Sequence, residues 1–401
     1  MNRTALTQTS LYALAFISLG LVTASLGPTL PALALQANVS ASEISRLFVA
    51  RALGTIVAAA TLGKLYDRHA GHPVLAAALF GGALMMLAMP QLHALPFLFV
   101  SFVCVGICSL VINVGGHTLV AAANPQRAAL FLNAIHFTFG LGGFMAPLIA
   151  KQFANGSSAL PWTYGVFAFA IASTALSALF VSSPNVIHHQ QQRAAAQPAT
   201  PANGLLGLLL LFLFLEVCAE GIVSGWMFSY AQRSGAASTL AYDMNSGFWA
   251  AFTLGRLAGI PLAWRLRPHT IILMHLCGWL VLTVVLVFLP AATWALWLCA
   301  VGMGLGMAPI FPSTMALAQR TLHVTGKMTG WLLFGAACGG MFGPWLVGQL
   351  IGRVGPRVFV WIVLGQLVGA LSVILYFISR AKTEAPDDET VEVLPTSEEP
   401  I

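Results

Sequence analysis

The stretch GFMAP at residues 143–147 returns as GMFGP at residues 340–344, and Gln152 returns as Gln349 at the same spacing of 197 residues. Two copies of one pattern, half a chain apart, predict two structurally equivalent halves. Each copy lies inside a long apolar run, and such runs recur from end to end. They match the roughly 20 helical residues needed to cross a hydrocarbon core of about 30 Å. Across 401 residues, 58% are hydrophobic and 7% charged, against about 25% charged in a soluble domain. The chain therefore reads as an all-α integral membrane protein.

Working outward from the repeat gives twelve spans, at 10–33, 43–66, 73–90, 96–122, 128–150, 161–183, 204–230, 241–264, 269–289, 292–317, 327–349 and 357–379. The first run is too long for the apolar core of a signal peptide and is counted as a span. The polar stretch SPNVIHHQQQRAAAQPATPANG divides the chain six plus six. The domains expected are 1–183 (first half), 184–203 (central loop), 204–379 (second half) and 380–401, an acidic tail of disordered composition. His188 and His189 in the central loop read as solvated filler rather than a metal tract.

Loops on the side of the termini carry Arg3, Lys64, Arg68, Arg127, Arg193, Arg265, Arg267, Arg320, Lys327, Arg380 and Lys382, whereas the other side carries Lys151, Arg233, Arg353 and Arg357. The positive-inside rule places both ends in the cytoplasm of a cell inner (plasma) membrane protein. The six cysteines all fall in apolar spans and suggest neither a disulfide framework nor a metal site.

Between the second and third spans stands GKLYDRHAGHPVL, residues 63–75. It resembles the signature loop of the major facilitator superfamily, with Gly63, Leu65, Asp67 and Arg68 in place, Gly71 one position late and His72 where a basic residue is usual. Gly63 permits close helix approach, and Asp67 can accept hydrogen bonds at a helix N-terminus. The resemblance implies a cytoplasmic latch made of Asp67 and Arg68 with Arg127 nearby. For Arg127, purely topological charge fits as well.

Segments at 48–72, 132–149, 220–226, 248–259 and 306–319 look like the branch that contains fucose/proton symporters and sodium-dependent glucose transporters. The resemblance implies two six-helix pseudo-symmetric halves that rock about a central site. It also implies a cavity built from helices one, four, five, seven, eight and eleven. One departure stands out. The fucose symporters carry coupling carboxylates in helices one and four, and neither helix has an acid here.

Within the membrane body, LFLFLEVCAEGIVSGW (211–226) carries Glu216 and Glu220 one helical turn apart. A charge at the bilayer centre costs about 2.5–3.5 kcal/mol on insertion scales, so a cavity or a partner is expected. Crowding two carboxylates in such a place favours a proton on at least one of them. That is the property a proton-coupled carrier needs, and Glu220 leads because it stands in the family-like EGIVSGW. The plain alternative is a protonated helix-to-helix hydrogen bonder.

Arg51 lies roughly 12 Å in from the outer end of helix two and Glu220 roughly 15 Å in from that of helix seven, by helical rise. Arg51 is the expected counter-charge, or the holder of an anionic substrate group. Arg256 reads as a gate or structural residue. Asn113 with His117, and Asn133 with His136, put neutral donors and acceptors on single faces of helices four and five, as candidate substrate contacts. Trp226, Trp249 and Trp331 offer flat surfaces for stacking a solute, though membrane-interface anchoring fits each as well. Ser40 and Glu43 form a capping box, which accounts for Glu43.

No catalytic triad, nucleotide-binding loop or metal-ligand cluster is visible, so an enzyme or ATP-driven pump is disfavoured. The reading is a monomeric, cofactor-free secondary transporter that moves a small polar solute, sugar-like or another metabolite, with protons or sodium. Proton-driven export of a drug, siderophore or metabolite is the alternative. A receptor on a carrier fold would instead bind without flux. No nucleic-acid partner is expected.

Overall fold

The computed structural model describes residues 3–62, 65–156, 158–184, 203–322 and 326–384, and no strand occurs among them. Twelve long helices run up and down: α1 Arg3–Gln36, α2 Ala41–Leu62, α3 Gly71–Ala88, α4 Leu95–Ala123, α5 Ala128–Phe153, α6 Ala159–Phe180, α7 Asn203–Arg233, α8 Ser238–Arg265, α9 Pro268–Phe288, α10 Thr293–Leu322, α11 Gly326–Val354 and α12 Arg357–Glu384. Gly63 and most of the central loop and acidic tail lie outside the described residues, as do the side chains of Asp67 and Arg68. The backbone of Leu65–Arg68 is a short helix.

Eleven of the twelve are long and apolar enough to cross a membrane. The twelfth, α8, has the length, but it carries Asp243, Asn245, Ser246 and Arg256. Asn245 and Ser246 are fully buried, so this helix turns its polar side toward protein rather than lipid. Large apolar side chains such as Trp162, Phe169, Phe180 and Phe288 are exposed on the outside of the bundle, as a hydrocarbon surround demands.

The repeat in the sequence is a repeat in packing. In the first half α1 lies against α5 so closely that a Cβ at Gly142 would meet the Ile17 carbonyl oxygen. At the same 197-residue spacing, a Cβ at Gly339 on α11 would meet the Phe214 carbonyl of α7. Only glycine admits this approach, which brings backbones together where no hydrophobic force between helices operates. The turns after α1 and α7 also correspond. Asn38 (φ 51°) and Gly235 (φ 99°) take the left-handed conformation that closes each helix, with Val39 donating to Ala34 and Ala236 to Ala231 at 3.0 Å.

An even number of crossings leaves both described chain ends on one face, called here the termini face. The halves meet firmly on the opposite face. There Lys151 of α5 forms an ion pair with Asp243 of α8 at 2.7 Å. Ser42 of α2 donates to Gln349 of α11 at 2.6 Å, and Gln349 returns a bond to the Ser42 carbonyl. Phe48 of α2 packs on Trp226 of α7. The expected capping box of Ser40 and Glu43 is present at the start of α2.

Toward the termini face α10 breaks between Met307 and Ile310, at Ala308-Pro309. Irregular backbone at membrane depth is tolerated where it lines a cavity, and here it does.

Candidate functional site

The α5–α8 seam positions the site. From the opposite face inward, Lys151 meets Asp243, Gly143 faces the Trp249 ring, Gly140 faces the Thr253 side chain, and His136 meets Arg256. The first step covers about two turns and each later one about one turn along two antiparallel helices. Past His136 and Arg256, residues of the two helices line a cavity of about 480 Å³, with Asn133 and Phe137 on α5, and Gly259, Ile260 and Trp264 on α8. The broken α10 contributes Pro309, Phe311, Ser313 and, at its termini-side end, Arg320.

At the deep end of the cavity a hydrogen-bonded chain crosses three helices. His117 Nδ1 on α4 lies 2.8 Å from the Asn113 carbonyl one turn back. His117 Nε2 lies 2.9 Å from His136 Nε2 on α5, and His136 Nδ1 lies 3.1 Å from the Arg256 guanidinium on α8. The Phe16 ring of α1 stands nearly perpendicular to both imidazoles. The guanidinium carbon sits 4.5 Å from the Phe252 ring centroid, a cation–π contact on its own helix.

Behind Arg256 stands α7. Glu216 is fully buried and its carboxylate oxygens have no hydrogen-bond partner among the described residues. Glu220 is half-buried one turn away. Arg256 is the cation within electrostatic range of both carboxylates. This differs from the pairing read from depth alone, because Arg51 instead donates to the Thr23 carbonyl of α1 at 3.2 Å. Equal depth does not fix the direction a side chain takes around its helix, and Arg51 points within its own half.

The other candidates separate. Asn133 and His136 line the cavity, and His117 reaches it through His136. Asn113 takes part through its carbonyl. Trp226 is buried and donates to the Pro344 carbonyl at 2.9 Å, Trp249 is buried in the seam, and Trp331 is half-exposed against Phe334. None of the three lines the cavity. Arg127 is exposed at the end of a short 3-10 turn. In the sequence Arg256 reads as a gate or structural residue, and Ser313 is not singled out within 306–319, because its place at the cavity depends on the break in α10.

A family model described as Major Facilitator Superfamily matches residues 12–344. The chain belongs to the major facilitator superfamily. It is a multi-pass membrane transporter and not an enzyme. It is 30% identical to sodium-dependent glucose transporter 1A of Mus musculus over 84% of this chain and 88% of that protein. It is equally identical to sodium-dependent glucose transporter 1 of Homo sapiens over 84% of this chain and 72% of that one. Among solved structures, the xylose transporter XylE from E. coli superposes with a TM-score of 0.75 at 10% identity, covering 94% of this chain and 98% of that chain. The nucleoside transporter NupG does so with a TM-score of 0.72 at 14% identity, over 94% and 99%. These superpositions speak to the major facilitator fold, in which a site between two rocking halves is reached from one face at a time.

Proposed function

We propose that this chain carries a small polar, sugar-like solute through the cavity between its halves by alternating access, with the proton gradient as its drive. The observation that carries the reading is the pair Glu216 and Glu220, placed in the membrane body within electrostatic range of Arg256 beside that cavity. Acids held inside a membrane bundle mark ion pathways, and a carboxyl that binds a proton on one side and releases it on the other couples the two fluxes. The cavity volume falls within the roughly 300–1,000 Å³ of small-molecule sites. Asn133 and Ser313 supply neutral hydrogen-bonding groups of the kind a hydroxylated solute uses, and Phe311 and Trp264 supply flat apolar faces.

The setting proposed is the cell inner membrane with both termini cytoplasmic, supported by the excess of Lys and Arg on the termini face. In that orientation the cavity faces inward and the Lys151–Asp243 side is closed. Asp67, Arg68 and Arg127 form the termini-side latch of the opposite state.

The names of the relatives favour a second drive, sodium, on the same carboxylates. Reconstituted protein given radiolabelled D-glucose, with D-xylose and uridine for comparison, separates the two. Uptake above equilibrium under an imposed pH difference without sodium supports the proton reading. Accumulation that needs a sodium gradient and ignores the pH difference replaces it.

A further inference from the structure

The chain from Asn113 to Arg256 has a fixed polarity. A carbonyl oxygen only accepts and a guanidinium only donates. His117 Nδ1–H must therefore donate to the Asn113 carbonyl, which leaves His117 Nε2 as an acceptor. His136 Nε2–H donates to it, and His136 Nδ1 accepts from Arg256. Both imidazoles are neutral, and every lone pair of the two rings is occupied.

An added proton has two places to go. On His136 Nδ1 it confronts the Arg256 N–H directly. On His117 Nε2 it confronts the His136 N–H, and relief requires His136 to move its own proton to Nδ1, which again faces Arg256. In each case a donor meets a donor. A proton on the pair and the Arg256 contact exclude each other.

The place of this contact gives the exclusion a consequence. His136–Arg256 is the last rung of the α5–α8 seam before the cavity, and it joins the first half to the second. When released, Arg256 has Glu216 and Glu220 within electrostatic range on α7 of its own half. The other charged group lining the cavity among the described residues is Arg320 on α10, at the far end, while α1 brings the Phe16 ring against the imidazoles.

We propose that the His117–His136 pair is a proton-binding site that competes with Arg256, so that taking up a proton unfastens the halves at the fork of the α5–α8 seam. This rests on the proton drive proposed above and assigns it a second site, outside α7.

The test needs no substrate. Nitroxides attached through p-acetylphenylalanine at Leu130 of α5 and Arg265 of α8 report the separation of the two helices at the termini face. The measurement is made on reconstituted protein moved stepwise from about pH 8 to about pH 4, a span that includes the range in which an ordinary histidine changes charge. The wild-type distance distribution is expected to shift to longer separations at the acidic pH. The double variant His117→Gln with His136→Gln keeps hydrogen-bonding groups but cannot titrate there, and it is expected to lose the shift. Arg256→Gln, a second route should the double variant fold poorly, is also expected to lose it. A wild type that does not respond to pH, or a shift that persists in either variant, would overturn the proposal. Proton-driven uptake is measured separately. Its absence alongside the predicted distance response would overturn the drive while supporting the histidine site.

Discussion

At Arg256 three demands meet on one side chain. It hydrogen-bonds His136, stacks on Phe252 and lies within electrostatic range of Glu216 and Glu220. Without that cation the carboxylates on α7 lose the positive charge within their electrostatic range, and an uncompensated buried charge is destabilising. Arg256→Ala is therefore expected to lower the thermal stability of the purified transporter in detergent. Adding Glu216→Gln should recover part of the loss, since the two residues share one interaction. Melting curves of the two single variants and the double variant check this, and strictly additive losses would place Glu216 outside the reach of Arg256. The sequence made the carboxylates legible because any acid in an apolar run demands an account. It did not make their partner legible: Arg51 and Arg256 are both arginines in membrane helices, and choosing between them needs the rotation of each helix.

Helices α5 and α8 form a seam whose two ends do different work. At the opposite face the Lys151–Asp243 pair is about one third exposed, at 30% and 32%, so its worth is limited to the 0.2–1 kcal/mol of surface pairs, about fivefold in an equilibrium at most. Asp243→Asn is expected to open that face modestly. Faster amide hydrogen exchange at the Lys151 end of α5 and the Asp243 end of α8 would register it. Exchanging the two charges, Lys151→Asp with Asp243→Lys, should restore protection. In the middle of each half, Gly142 and Gly339 hold helix pairs at backbone contact. Gly142→Val is expected to cost about 1–3 kcal/mol, as overpacking does, and to lower the melting temperature. These pairings were foreshadowed by the repeated Gly and Pro residues on either side of the 197-residue spacing. The break in α10 was not, because Pro309 and Pro312 fit an uninterrupted membrane helix as readily as a broken one when read in sequence. Helix α8 shows the converse. Its polar residues weaken its apolarity, yet its length and its place between turns still mark it as a span.

The whole molecule holds its halves together on one face and leaves a cavity on the other, one end state of a rocking carrier. Its twelve-helix, two-half architecture was readable from apolar run lengths and the internal repeat, because a bilayer leaves so few ways to satisfy a backbone. The site was readable only as a set of candidates, since which polar side chains converge depends on how the halves meet. If Asp67 latches the termini face in the other end state, Asp67→Asn should reduce transport sharply while leaving substrate binding intact, with initial uptake rates and equilibrium binding as the measurements. The claim on which the account turns is that an α7 carboxyl carries the coupling ion. Glu220→Gln fixes that side chain in a neutral form, and the measurement is D-glucose flux in proteoliposomes with and without an imposed pH difference. The account predicts that the variant still exchanges labelled for unlabelled sugar at equal concentrations and fails to accumulate sugar against a gradient. Full pH-driven accumulation by Glu220→Gln would contradict it.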